Sequence, residues 1–203
     1  NNSQLQKSIC CITDEFSAIS CLETIKQGFE VKLLICYETR EDVIHLVKIM
    51  DKILPRLLRS EVELEFHKIS KYGKNSDDIL SKNSLITDIL INSAKEKKIS
   101  HISLTTSPLI FPSTYVETLQ RRVFGAGMIP HIPLSGIDSE IIKNAREIGM
   151  EKYVSKIEKL LKTNFTKSKP KLNKKEKTSK KIIKVRLGPN NVHTILDSLE
   201  IEH

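Results

Sequence analysis

Apolar and polar positions along this chain follow two rhythms in turn. Ser8–Ile12 is a short apolar run, the signature of a strand buried on both faces. From Glu15 to Gln27 the apolar residues Phe16, Ile19, Leu22 and Ile25 recur every three positions, which lines them along one helix face. Gly28 then fits the site just past a helix C-terminus. Glu30–Tyr37 (EVKLLICY) reads as a second strand. Arg40–Arg59 reads as a long helix that turns Val43, Leu46, Val47 and Met50 inward, with Pro55 bending its end. Glu61–Ile69 (EVELEFHKI) alternates strictly, which predicts an edge strand with one wet face. Beyond it the pattern predicts a helix over Ile79–Lys97, a strand over His101–Thr105, a helix over Thr114–Phe124 and a short strand over Ile129–Pro133. Two more helices are expected at Ser139–Ile148 and Lys152–Leu161.

Alternating strands and helices imply an α/β fold: a five-stranded parallel sheet with helices on both faces. Ligands of such sheets bind beyond the C-terminal ends of the strands. Here those ends are the loops Thr13–Ser17, Tyr37–Arg40, Thr105–Ser113 and Leu134–Asp138. The expected organisation is an α/β domain over residues 1–161, a lysine-rich linker over 162–181 and a short element over 182–203. That last element offers a strand at Ile182–Leu187 and a helix at Asn191–Leu199, which either dock on the body or await a partner.

Composition sharpens this picture in two places. The 203 residues carry a formal charge of +8, but the excess is local. Between Lys162 and Arg186 stand ten lysines and one arginine against the single acid Glu176, a net +10 that leaves −2 for the rest. The lysines of interest are Lys167, Lys169, Lys171, Lys174, Lys175, Lys177, Lys180 and Lys181. Clustered lysines bind nucleic acid through counterion release, without sequence preference. Only Phe165 interleaves them, so base stacking adds little. A solvated linker or the contact surface for an acidic partner are the other readings. The four cysteines, Cys10, Cys11, Cys21 and Cys36, show no paired CxxC spacing and fall on predicted strands or a helix. Buried free thiols of a cytoplasmic protein, with no metal site, are expected. No apolar run reaches ~18 residues and the first seven residues are polar, so neither a membrane span nor a signal peptide is expected.

The first strand-to-helix turn is where phosphate chemistry would be decided. A phosphate cradle needs glycines, so that backbone N–H groups can close on the anion at a helix N-terminus. This turn reads Thr13-Asp14-Glu15-Phe16-Ser17 and has none. Asp14 and Glu15 either hold Mg²⁺ or serve as acids at a helix start, favoured by the helix dipole. Thr13, Asp14, Ser17, Thr105 and Thr106 are the candidate nucleotide contacts, with ATP or AMP and Mg²⁺ as the candidate ligands. Ser135-Gly136-Ile137-Asp138-Ser139 looks like a phosphate motif but follows the fifth strand, and is read as a helix cap. Arg121 and Arg122, near a helix end, either touch phosphate or balance the dipole. His101 and His131 are read as structural residues at strand starts.

Several segments resemble the PP-loop ATP pyrophosphatase domain of the tRNA 4-thiouridine sulfurtransferase (thiamine-biosynthesis) family. The resemblance spans residues 7–150 and is strongest over Ile132–Gly149, IPLSGIDSEIIKNAREIG. That stretch is similar to the family's Leu-x-Gly-x-Asp turn and its Glu-Ile-Ile helix. Ser113, Glu117 and Leu119 resemble the family's Ser-Gln-Thr-Leu-Glu-Asn-Leu helix. The departures lie in the catalytic motifs. The family's Ser-Gly-Gly-x-Asp-Ser survives only as Thr13 and Ser17, one position short. Its Thr-Gly-Glu/Asp-Ser-Leu-Gly-Gln segment has become Thr105-Thr106-Ser107-Pro108-Leu109-Ile110, and no cysteine follows Cys36. The resemblance thus implies a degenerate relative without catalytic residues, an RNA- or partner-binding accessory in tRNA thiolation or thiamine sulfur transfer. Two other readings stay open. One is an active sulfur-transfer subunit that takes its missing parts from a partner sulfurtransferase subunit. The other is a module that senses adenine nucleotides.

Overall fold

The structure is a computed structural model, and it describes residues 5–54, 62–104, 113–133, 146–147, 151, 155, 179–186 and 191–200. Six strands form one sheet in the order β5-β4-β1-β2-β3-β6. They are β1 (Lys7–Ile12), β2 (Glu30–Tyr37), β3 (Val62–Lys68), β4 (His101–Ser103), β5 (Ile129–His131) and β6 (Ser179–Val185). The first five are mutually parallel; β6 runs antiparallel to β3. Among the described residues the helices are α1 (Glu15–Lys26), α2 (Arg40–Ile53), α3 (Ser76–Lys97), α4 (Ser113–Gly125) and α5 (Val192–Ser198).

Strand residues of alternate parity feed two separate cores, as the two-residue repeat of a strand requires. Cys10, Ile12, Leu33, Ile35, Leu64 and Phe66 pack under α1, α2 and α5. Ile9, Cys11, Leu34, Cys36 and Ile102 pack under α3 and α4. The three-layer α/β architecture agrees with the sequence expectation, and the helix ends were well marked. Gly28 follows α1 with φ +96°, a conformation glycine adopts without penalty. All four cysteines are buried free thiols.

Among the described residues the sheet has six strands rather than five, because the C-terminal segment contributes one. Ile183 and Val185 of β6 join the α1/α2 core, and Val192, Ile195 and Leu196 of α5 close over it. Ile195 and Leu196 are fully buried. The expectation that β3 forms a sheet edge with one wet face is therefore corrected. β6 pairs along its whole length, and Glu65 and His67 on the supposedly wet face are buried. Since α5 fills core volume, Ile195→Ala should cost about 2–5 kcal/mol and lower the melting temperature by roughly 10 °C in a calorimetric scan. The expected helices at Ser139–Ile148 and Lys152–Leu161 lie largely outside the described residues.

The register also fixes where β6 begins. Ser179 lies opposite Lys68, and Val185 opposite Val62. The chain thus enters β6 at the end of the sheet where the parallel strands finish.

Candidate functional site at the strand ends

β1 delivers Thr13 and Asp14 to the C-terminal end of the sheet, where α1 begins. Asp14 is extended (φ −164°, ψ −173°) and is the N-cap of α1. Its Oδ1 accepts from the Ser17 backbone N–H at 2.8 Å. The Ser17 hydroxyl accepts from the N–H of Thr13 at 2.8 Å and of Asp14 at 3.0 Å, and donates to the Asp14 carbonyl at 2.9 Å. Thr13, Asp14 and Ser17 are thus brought together as the sequence reading grouped them, bonded to one another in a reciprocal capping box. Glu15 turns aside to His45, 2.9 Å away. Removing the Ser17 hydroxyl takes away one arm of this box, so Ser17→Ala should destabilise the fold by about 1 kcal/mol in chemical denaturation. Thr105 and Thr106 lie outside the described residues.

The neighbouring helix starts repeat the theme. At α2, Asp42 Oδ2 accepts from the N–H groups of Glu38 (2.9 Å) and Thr39 (3.1 Å), and Thr39 Oγ1 accepts from the Asp42 N–H at 3.3 Å. At α3, Asn75 Oδ1 accepts from the Asp78 N–H at 2.9 Å. The first turns of these three helices carry Glu15, then Glu41 and Asp42, then Asp77 and Asp78. Acids there favour the helix dipole and place negative charge at the end of the sheet. Glu38 joins the group, held by Lys82 Nζ at 2.6 Å and by the Tyr72 N–H at 3.4 Å.

Below this rim, Cys11 and Cys36 face each other with sulfurs 3.7 Å apart. Burial, then the contact with Cys36, pushes the Cys11 thiol well above its ordinary value, so it stays protonated and a poor nucleophile. Among the described residues no group of three or more His, Cys, Asp and Glu side chains could hold a metal ion. His101 opens β4 as expected, but His131 closes β5 instead of starting it. Phe29 packs on both rings, with centroids 5.1 Å and 4.8 Å away. Burial lowers both imidazole pKa values, so the pair is neutral near pH 7. Arg122 ties α4 to α3 by pairing with Asp88 and donating to Ser84 Oγ at 3.0 Å; Arg121 is exposed.

Of the candidate lysines, Lys180 and Lys181 are described, and both lie in β6. Lys180 is engaged within the fold, 2.5 Å from Glu96 and 3.7 Å from Glu65. Lys181 is exposed. Lys167, Lys169, Lys171, Lys174, Lys175 and Lys177 lie outside the described residues.

The sequence reading missed the group around Glu65. This carboxylate is wholly buried, 2.7 Å from His67 Nε2 and 3.0 Å from Lys97 Nζ. Burial pulls its pKa upward, but the hydrogen bond with His67 and the positive charge of Lys97 outweigh that and hold it down at about 2. Strict alternation in EVELEFHKI was the available signal, and it reported the strand without the cover that β6 and α3 provide.

No family model matches this sequence, and no curated protein matches it closely enough to count as a relative. Solved structures do match. One is a 4-thiouridine synthetase in complex with RNA and bound ATP, at TM-score 0.52 and 13% identity, covering 86% of this chain and 55% of that one. This chain thus spans about half the length of that protein. A second is PH1313 from Pyrococcus horikoshii Ot3, at TM-score 0.49 and 15% identity over 71% of this chain and 41% of that one, too loose a superposition to argue from. No helix among the described residues is long and apolar enough to cross a membrane. Sheet order, layers and the first of these superpositions agree: the chain has a PP-loop-type α/β fold, its five parallel strands extended by an antiparallel sixth.

Proposed function

We propose that this protein is a non-catalytic relative of the tRNA sulfurtransferase PP-loop domain. In this reading it is a cytoplasmic accessory that binds RNA, or a partner enzyme, in tRNA thiolation or thiamine sulfur transfer. The observation that carries the reading is the Ser17 hydroxyl, spent on the N–H groups of Thr13 and Asp14. In a working phosphate loop such donors point at the ligand. Here an incoming pyrophosphate would have to displace Ser17 and Asp14 from their own backbone. It would also meet Asp14 and Glu15, with Glu41 and Asp42 at the next helix start. Like charges of that number make the site a poor host for a polyphosphate.

Support for RNA comes from the lysines of residues 162–186 and from the fold neighbour, which is a complex with RNA. The neighbour also holds ATP, and that property is not carried over, because the turn after β1 in this chain lacks glycine and is bonded to itself. The test is turnover: pure protein, ATP, Mg²⁺ and a tRNA transcript, followed by pyrophosphate release. No release above the protein-free blank is expected. Steady conversion of ATP to AMP would overturn the non-catalytic reading and favour the active-subunit alternative.

A further inference from the structure

We propose that the rim of the sheet around the end of β3 is an RNA-backbone contact surface, formed by Lys68, Lys71, Lys74 and Lys181. This rests on the RNA-binding reading above and places part of it on the folded body. All four lysines are exposed. Among the described residues none of them enters an ion pair, whereas Lys82, Lys97 and Lys180 all do.

Their positions are fixed by the backbone. Lys68 ends β3, and Lys181 stands on β6 opposite Phe66. Lys68 and Lys181 are diagonal neighbours on one face, about 7–8 Å apart and somewhat closer at Cβ. Like charges at that spacing repel, and a bound polyanion relieves the repulsion. Lys71 and Lys74 sit on the loop after β3, which is pinned rather than loose. The Ile69 N–H donates to the Tyr37 carbonyl at 2.9 Å, the Tyr72 N–H to Glu38, and Asn75 caps α3. Of the nearby acids, Glu38 pairs with Lys82, while Asp77 and Asp78 stand in the first turn of α3, where the helix dipole offsets part of their charge.

Phosphodiester backbone is the ligand this chemistry favours. The lysines are point charges without a bidentate fork, which suits sequence-independent phosphate contact. Tyr72, between Lys71 and Lys74, packs against the α3 core, so base readout is not its role. The chain that arrives at Ser179, opposite Lys68, has just passed seven lysines between positions 162 and 177. Four lysines along the rim suit an extended polyanion rather than one phosphate.

The test is fluorescence anisotropy of labelled oligouridine RNA with the full chain, across a range of KCl concentrations. Lys68, Lys71, Lys74 and Lys181 are changed together to Gln. A control variant changes Lys48, Lys52, Lys95 and Lys98 to Gln, which removes the same charge from other exposed positions. Circular dichroism confirms that both fold. The rim variant should lose about tenfold or more in affinity, and its salt slope should shrink by up to about 3, at 0.7 per phosphate contact. The control should keep most of both. Equal losses in the two variants, or none in either, overturn the rim as a site while leaving RNA binding intact. Absence of RNA binding by the unaltered chain at low salt overturns the RNA reading itself.

Discussion

Replacing the seven lysines between 162 and 177 with glutamine is expected to abolish most RNA affinity while leaving the melting temperature unchanged. Binding to a polyanion by lysines is driven by release of condensed counterions, so affinity falls linearly in log–log terms with salt. For single-stranded RNA the slope is about 0.7 per neutralised phosphate, so seven lysines account for up to about 5 units. At moderate salt this amounts to a loss of about a hundredfold or more. Two features separate the expectation from a general charge effect. The slope itself must shrink, and competitor RNA of unrelated sequence must compete equally well. If the variant binds with the same affinity and slope, residues 162–177 act as a solvated linker and the RNA reading loses its largest support.

The second large effect concerns Glu65. Its carboxylate is buried on the central part of β3 and is held by His67, Lys97 and, across the strand pair, Lys180. Its pKa in the folded chain is about 2, below the ordinary value of 4.5. A carboxyl whose folded pKa is depressed stabilises the fold above the unfolded value and loses that contribution as pH falls toward the folded one. Stability should therefore be full above about pH 4.5 and decline between there and pH 2, by on the order of 2–3 kcal/mol from this group. Glu65→Gln should flatten that part of the pH profile. Glu65→Ala goes further, because it leaves Lys97 without its partner and Lys180 with Glu96 alone. A buried pair broken from one side costs about 3–5 kcal/mol, and both lysines can turn partly to solvent, so about 2 kcal/mol is expected. Because Lys180 belongs to β6, backbone amides of β6 should exchange faster in Glu65→Ala. An unchanged melting temperature together with unchanged β6 exchange would mean that β6 is held by its apolar contacts alone.

Much of the fold was legible in the residues, for local reasons. The strand at Ser8–Ile12, the three-residue spacing of Phe16, Ile19, Leu22 and Ile25, and Gly28 after the helix are all signals written within one element. The cap at Asp14 was legible too, as acids at a helix start. What sequence could not report is the reciprocal use of Ser17, since a serine three residues past an aspartate fits a phosphate contact and a capping box equally well. Glu65 was out of reach for a different reason. Its partners Lys97 and Lys180 stand 32 and 115 positions further along the chain, and only the pairing of β6 with β3 brings Lys180 close. Lys68, Lys71 and Lys74 were overshadowed by the denser lysines that follow residue 162, although their exposure is local and their spacing visible in HKISKYGK. The approach of Cys11 to Cys36 likewise depends on which residues of β1 and β2 lie abreast.

On this reading the loop after β1 binds itself in place of a nucleotide. Calorimetric titration of the pure protein with ATP–Mg²⁺ and with AMP tests it most directly, with Ser17→Ala run in parallel. The capped loop predicts no binding heat with either ligand at two temperatures, for the protein and for the variant. Saturable binding that weakens in Ser17→Ala would contradict the claim, because it would show that Ser17 serves the nucleotide and not the loop.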